Sequence, residues 1–202
     1  MKINVNYQNS ILINNSIYID PLKVDGTIKA EYIFITHPHW DHFSIEDIEK
    51  VLTRTTKIIC PRSMKKDVEG LFNNSIIYVE PEQNYKVDNI EFNTIYSYNV
   101  DKQFHPKENL WVGYILNIDG ETIAIVGDSD ETPELREIKV DFLLIPIGGK
   151  YTMNLKEAAE LTNTINPQKV IPTHYGEIVG NQNMGKEFKS LLNPNIICEL
   201  QI

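Results

Sequence analysis

Directly after an apolar run, Tyr32-Ile33-Phe34-Ile35, the chain reads Thr36-His37-Pro38-His39-Trp40-Asp41-His42. Four groups able to bind a divalent metal crowd into this loop, among them three of the chain's five histidines. In extended or turning backbone, side chains two apart point the same way, so His37 and His39 can grip one ion together. Asp41 and His42 are neighbours and diverge, which suits a second ion close by. Imidazole and carboxylate are ligands for zinc, manganese or iron, and no cysteine here narrows the choice. A polar loop with incidental histidines is the competing account. The crowding of the histidines argues against it.

Other candidates stand where apolar strands end. Asp128 follows Thr122-Ile123-Ala124-Ile125-Val126-Gly127, Gly148-Gly149 follows Phe142 to Ile147, and His174 follows Val170-Ile171-Pro172-Thr173. Sites in layered α/β proteins gather where strands deliver loops to one edge. Asp130 competes with Asp128 as the relevant carboxylate; strand-end position and the preceding Gly127 favour Asp128. His105, in Gln103-Phe104-His105-Pro106-Lys107, reads on its own equally well as a ligand or as a solvent-exposed loop residue.

The remaining pattern alternates strands and helices. Strands are expected at Ile3 to Tyr7, Ile11 to Ile13, Ile17 to Ile19 and Tyr32 to Ile35, with Asn14-Asn15 as a hairpin turn. Ser44-Ile45-Glu46-Asp47 starts a helix running to about Leu52. Lys57 to Cys60 is a strand, Arg62 to Phe72 a helix, and Ile76–Val79, Tyr85–Val87 and Ile90–Ser97 are strands. Trp111 to Val126 forms a hairpin turning at Asp119-Gly120. Phe142 to Ile147 reads as a strand covered on both faces. Asn154 caps a helix reaching about Ile165, and a helix from Met184 to Leu192 precedes a last strand at Ile196 to Leu200. Strands first, then strands alternating with helices, twice over, predicts two sheets face to face with helices outside.

A chain of 202 residues suits one domain spanning 1–202, with 42% hydrophobic and 23% charged residues as in ordinary globular proteins. No apolar run approaches membrane-spanning length and the first residues lack a signal-peptide core, so a cytoplasmic protein is expected. Cys60 and Cys198 each close an apolar run and read as buried reduced thiols. The net charge of −9 disfavours non-specific nucleic-acid binding. It leaves room for a small anionic substrate, since two bound divalent cations would reverse the local field. Self-association is left open.

The loop resembles the H-x-H-x-D-H signature of the metallo-β-lactamase superfamily. His105, Asp128 and His174 follow in that family's order, and Ile19-Asp20-Pro21, Val126-Gly127-Asp128-Ser129, Pro146-Ile147-Gly148-Gly149 and His174-Tyr175-Gly176 extend the likeness over nearly the whole chain. It resembles most the compact branch related to L-ascorbate-6-phosphate lactonase. The third motif differs: the family often has Gly-His-Thr-Pro-Gly where this chain has Phe104-His105-Pro106-Lys107. The resemblance implies an α/β, four-layer αβ/βα sandwich of two mixed sheets with helices on the outer faces. It also implies that His37, His39 and His105 bind one ion and Asp41, His42 and His174 another, with Asp128 bridging. Zinc is the first expectation, with manganese, iron and nickel open.

Such a centre lowers the pKa of bound water from about 15.7 towards about 7 and supplies hydroxide at neutral pH. Two ions, two aspartates (Asp41 and Asp128) and one hydroxide leave a formal charge of about +1, which attracts a carboxylate, a phosphate or a developing oxyanion. The expected activity is hydrolysis of a lactone, ester or phosphodiester of a small, anionic metabolite. The alternatives are a nuclease or nucleotide phosphodiesterase, a di-iron redox protein and a metal-binding module without turnover. Lys150, Tyr151 and Tyr175, with Lys107, are candidates for binding substrate or for donating to it. Each tyrosine is equally explained as a packed aromatic.

Overall fold

The computed structural model describes residues 1–202. The first sheet runs β1 (Ile3–Tyr7), β2 (Ser10–Ile13), β3 (Ile17–Ile19), β4 (Tyr32–Phe34), β5 (Lys57–Pro61) and β6 (Ser75–Val79), in that spatial order. β1, β2 and β3 pair antiparallel; β3 to β6 pair parallel. The β2–β3 turn falls on Asn14 and Asn15, with φ of 48° and 57°, as the hairpin reading requires. α1 (Ile45–Val51) and α2 (Lys65–Val68) supply the helical connections.

The second sheet contains β7 (Asn84–Val87), β8 (Ile90–Tyr96), β9 (Val112–Ile118), β10 (Glu121–Ile125), β11 (Phe142–Pro146), β12 (Lys169–Thr173) and β13 (Ile197–Cys198). β7 to β10 pair antiparallel and β10 to β13 parallel. The helices here are α3 (Pro133–Arg136), α4 (Leu155–Ile165) and α5 (Met184–Ser190). Asn154 caps α4 with a reciprocal box to Glu157.

Three apolar clusters define four layers. Ile11, Ile13, Ile19 and Phe34 of the first sheet pack against Phe92, Tyr114, Leu116 and Ile125 of the second, forming the centre of the sandwich. Ile33, Ile58 and Cys60 on the outer face of the first sheet meet Ile48 and Val51 of α1 and Val68 of α2. Leu143, Ile145 and Val170 on the outer face of the second meet Leu135, Ala158, Leu161 and Phe188 of α3, α4 and α5. The central parallel strands β4, β5, β11 and β12 are therefore covered on both sides, as their continuous apolar sequences predict. Cys60 and Cys198 are buried free thiols, as expected. No helix is long and apolar enough to cross a membrane.

Three expectations need correction. The helix expected over Arg62 to Phe72 is a 3₁₀ turn at Arg62–Met64 followed by the single turn α2. Glu69 turns extended and Gly70 adopts φ of 79°, so the backbone leaves the helix before Leu71, which is left exposed. The final strand shrinks to Ile197–Cys198, an edge pairing with β12 alone. α3 was missed although Thr132-Pro133 carries the signal: the threonine side chain accepts from Leu135 N–H and the proline occupies the first turn.

Phe34 ends the strand that delivers the histidine loop. Fully buried, it meets Phe92 and Tyr114 edge-on at centroid distances of 5.1 and 5.0 Å. Phe34→Ala is expected to cost about 3–5 kcal/mol, read from the urea unfolding midpoint.

Candidate metal centre

The parallel strands of both sheets deliver their C-terminal loops to one edge. β4 leads into Thr36–His42, β10 into Gly127-Asp128, β11 into Gly148-Gly149 and β12 into His174. Cross-links hold the two edges together. Tyr114 donates its hydroxyl to Ile35 O at 2.6 Å, Val112 N–H donates to Thr36 O at 3.3 Å, and His174 N–H donates to Gln8 O at 3.0 Å. Gly148 is obligatory there: a Cβ would lie 2.4 Å from His174 O and 2.5 Å from Val179 Cγ2. Gly127 has φ of 70°, the left-handed turn that brings Asp128 back under the loop.

All seven sequence candidates for metal binding meet at this edge. Ligand atoms of His37, His39 and His105 lie within 4.8 Å of one another, as do those of Asp41, His42 and His174, and those of His37, His42 and Asp128. His105, ambiguous by sequence, is buried inside the cluster. Asp128 stands between the two histidine groups. Its Oδ2 is 3.4 Å from His105 Nε2 and 3.2 Å from His174 Nε2, and its Oδ1 is 3.3 Å from His42 Nε2. Asp41 Oδ2 is 3.3 Å from His174 Nε2 and 3.7 Å from His42 Nε2.

Residues behind the cluster aim it. Asp20, fully buried, accepts at Oδ2 from His42 Nδ1 (2.8 Å), Thr36 Oγ1 (2.7 Å) and Asn9 Nδ2 (2.8 Å), and at Oδ1 from Thr36 N–H (2.8 Å). Thr36 Oγ1, having given its proton to Asp20, accepts from His37 Nδ1 at 3.0 Å. Asn99 Oδ1 accepts from His105 Nδ1 and from His105 N–H, both at 3.0 Å. These bonds place the imidazole protons on Nδ1 and turn Nε2 lone pairs of His37, His42 and His105 inward. His39 instead brings Nδ1 to 3.0 Å from His37 Nε2. Trp111 packs against the rings of His37 and His39 at 5.0 and 4.9 Å.

Buried polar atoms normally have partners, yet Nε2 of His42 and His105 and Oδ1 of Asp128 make no hydrogen bond. Converging, unpartnered imidazole nitrogens and carboxylate oxygens fit a divalent cation. The titration of the metal-free site tells the same story. Burial pushes the Asp128 carboxyl up, but His174, His42 and His105 outweigh that and hold it well below the usual carboxylate range. Burial and the neighbouring histidines hold His37 well below its ordinary value. For His174 burial works downward, but Asp128 and Asp41 prevail and push it up to about 9.

The remaining candidates separate. Tyr151 lines the cleft in front of the cluster. Tyr175 does not: it is fully buried and donates its hydroxyl to Ile202 O at 3.0 Å, so it is a core residue beneath the His174 loop. Lys107 is paired with Glu134 at 2.6 Å. Lys150 is exposed, its Nζ over the ring of Tyr151 at 4.9 Å, and outside the cleft lining. Asp130 is buried but turned away, accepting from Val100 N–H at 2.9 Å and pairing with Lys102. Sequence reasoning missed Asp20 and Asn99 as supports. The strand-end acid in Ile19-Asp20-Pro21 was a usable signal; Asn99 offered none.

A family model for the β-lactamase superfamily domain matches residues 8–174. The chain belongs to the metallo-β-lactamase superfamily. It is a metal-dependent hydrolase. A UPF0173 protein of Pyrococcus furiosus is 30% identical over 167 residues, covering 79% of this chain and 75% of the relative. A UPF0173 metal-dependent hydrolase of Staphylococcus aureus is 24% identical over 216 residues, covering 96% and 93%. A solved protein of Parabacteroides distasonis, 26% identical, superposes with a TM-score of 0.84 over 98% of this chain and 91% of its own.

Two outcomes are expected. Asp20→Asn keeps size but cannot accept all four donors, so metal affinity should fall about 10- to 100-fold, measured by competition with a chromophoric chelator. Metal binding must displace protons from both His42 and His174, because the ligand is neutral imidazole. Burial works downward on each, but Asp128, with Asp20 on His42 and Asp41 on His174, prevails and holds His42 well above its ordinary value and His174 up at about 9. Metal affinity should therefore rise from pH 7 to 9, with proton uptake or release followed by calorimetry in buffers of different ionisation heat. A pH-independent affinity would contradict this.

Proposed function

We propose that the centre holds two divalent ions and hydrolyses a lactone, ester or phosphodiester of a small molecule. His37, His39 and His105 serve one ion, Asp41, His42 and His174 the other, and Asp128 lies between. The observation that carries this reading is the position of Asp128, whose two oxygens stand at nearly equal distances from histidines of both groups. A carboxylate so placed offsets the repulsion of two cations in a partly dehydrated cleft. The imidazole and carboxylate donors suit zinc first, then manganese, iron and nickel.

Bound there, the ions supply an acidified water and an electrophile for the scissile carbonyl or phosphoryl oxygen. The chain's own residues do the rest. Asp41 and Asp128 leave the loaded site with net positive charge, which favours an oxyanion developing on the substrate. Trp111 covers His37 and His39 and keeps bulk water from that side. Tyr151 is the cleft residue outside the ligand set that carries a hydroxyl, and it serves as proton donor to the leaving group.

Protein purified without chelator should carry close to two divalent ions per chain by mass spectrometry of the metals, and chelation should abolish hydrolysis. The double change His37→Ala, His39→Ala should remove at least one ion. Asp128→Asn should lose or loosen an ion and lower the rate by several orders of magnitude, while Asp130→Asn should retain both ions. The reverse ranking of the two aspartates would sink the bridging assignment.

A further inference from the structure

Four separate loops each send one apolar side chain to the mouth of the metal cluster. Trp40 comes from the loop after β4, Phe104 from that between β8 and β9, Tyr151 from that after β11 and Ile178 from that after β12. With His39, Asp41, His105 and Asp128 they line a cleft of about 260 Å³. That is below the ~300–1,000 Å³ usual for drug-sized ligands. Outside the proposed metal ligands the lining has no charged side chain, and its side-chain polar groups are the Tyr151 hydroxyl, proposed as donor to the leaving group, and the Trp40 indole N–H. Phe104 and Tyr151 meet edge-on at 4.8 Å, forming one wall. Trp40 is left 68% and Phe104 39% exposed.

Recognition of a second anionic group calls for Arg, Lys or converging polar donors. Lys102 is paired with Asp130 and Lys107 with Glu134, and the exposed Lys150, its Nζ over the Tyr151 ring, is not among the residues that line the cleft. A roomier groove of about 350 Å³ beside Lys23 and Asp25 shares no residue with the cluster. Large aromatic side chains left in water around a polar centre gain free energy only when apolar surface covers them.

We propose that the part of the substrate outside the reacting bond is small, uncharged and apolar: the compound is a short-chain alkyl or aryl ester or lactone, rather than a sugar phosphate or a nucleotide. This rests on the proposed hydrolytic metal centre. Water adds across the acyl–oxygen bond, which breaks. The acyl carbon takes the hydroxyl to give a carboxylic acid, which releases its proton to solvent and becomes a carboxylate. The alkoxide oxygen takes the other proton of the water to become the alcohol, the two groups remaining on one molecule when the substrate is a lactone. The charge that the ions attract is thereby confined to the reacting end, while Trp40, Phe104, Tyr151 and Ile178 take the hydrocarbon.

The test uses product-like carboxylates on the full-length, metal-loaded protein, titrated by calorimetry: acetate, butyrate, hexanoate and the doubly charged adipate. Dissociation constants should fall about fourfold per methylene until the cleft is filled. Adipate should bind about tenfold or more weaker than hexanoate, because its second carboxylate would be buried without a partner. Phe104→Ala should flatten the chain-length series. Hexanoate no tighter than acetate, or adipate preferred in a way that Lys150→Ala abolishes, would overturn the inference. Parallel assays of 4-nitrophenyl hexanoate and bis(4-nitrophenyl) phosphate separate it from the hydrolytic reading. Metal-dependent turnover of neither, with the binding order intact, removes that reading and leaves the apolar ligand class standing; ester turnover with a flat series does the reverse.

Discussion

A single buried carboxylate, Asp20, orders the catalytic edge. It directly follows β3, takes φ of 45°, and collects four hydrogen bonds from Asn9, Thr36 and His42. A carboxylate buried in such a place is tolerable because both of its oxygens accept hydrogen bonds, three at Oδ2 and one at Oδ1. In return it fixes the start of the histidine loop, sets the tautomer of His42 directly and steers His37 through Thr36. Without it His42 would lose the acceptor that fixes its ring, and His37 the threonine that Asp20 holds in place.

The two sheets contribute unequally. The first supplies four groups from one short loop, whereas the second supplies Asp128 and His174 from two strand ends and His105 from the connection between β8 and β9. Parallel pairing of β10 and β12 to β11, which lies between them, brings the two strand ends to the same edge without any help from local sequence. His105 needs more: it arrives on a long connection whose shape is held by Asn99, which also donates to Tyr151 O at 2.9 Å. The loop bearing a ligand and the loop bearing a cleft wall are thus tied to each other.

Much of this was legible in the sequence for physical reasons. Period-two alternation marked β1, capping chemistry marked α1 and α4, and unbroken apolar runs marked the strands covered on both faces. Close spacing exposed the histidine loop, and strand-end position singled out Asp128 and His174. What stayed hidden depends on contacts between distant positions. Asn9, Asp20, Thr36 and His42 become one network only after folding. Tyr175 looked like a site residue because it follows His174, but the strained turn at His174, φ 55°, sends its neighbour inward. The helical pattern over Arg62 to Phe72 misled because Gly70 outweighs a few well-spaced apolar residues.

The proposed ligands span residues 37 to 174 and come from both halves of the sandwich, so ions bound as proposed would act as rivets between two sheets. Any free energy of metal binding is then free energy of keeping the sheets closed at that edge. Loss of metal should be felt as local opening there, seen in faster amide exchange at the loops after β4, β10 and β12 while the opposite edge stays protected. A chain starved of metal would be idle and would also offer proteases its most mobile edge.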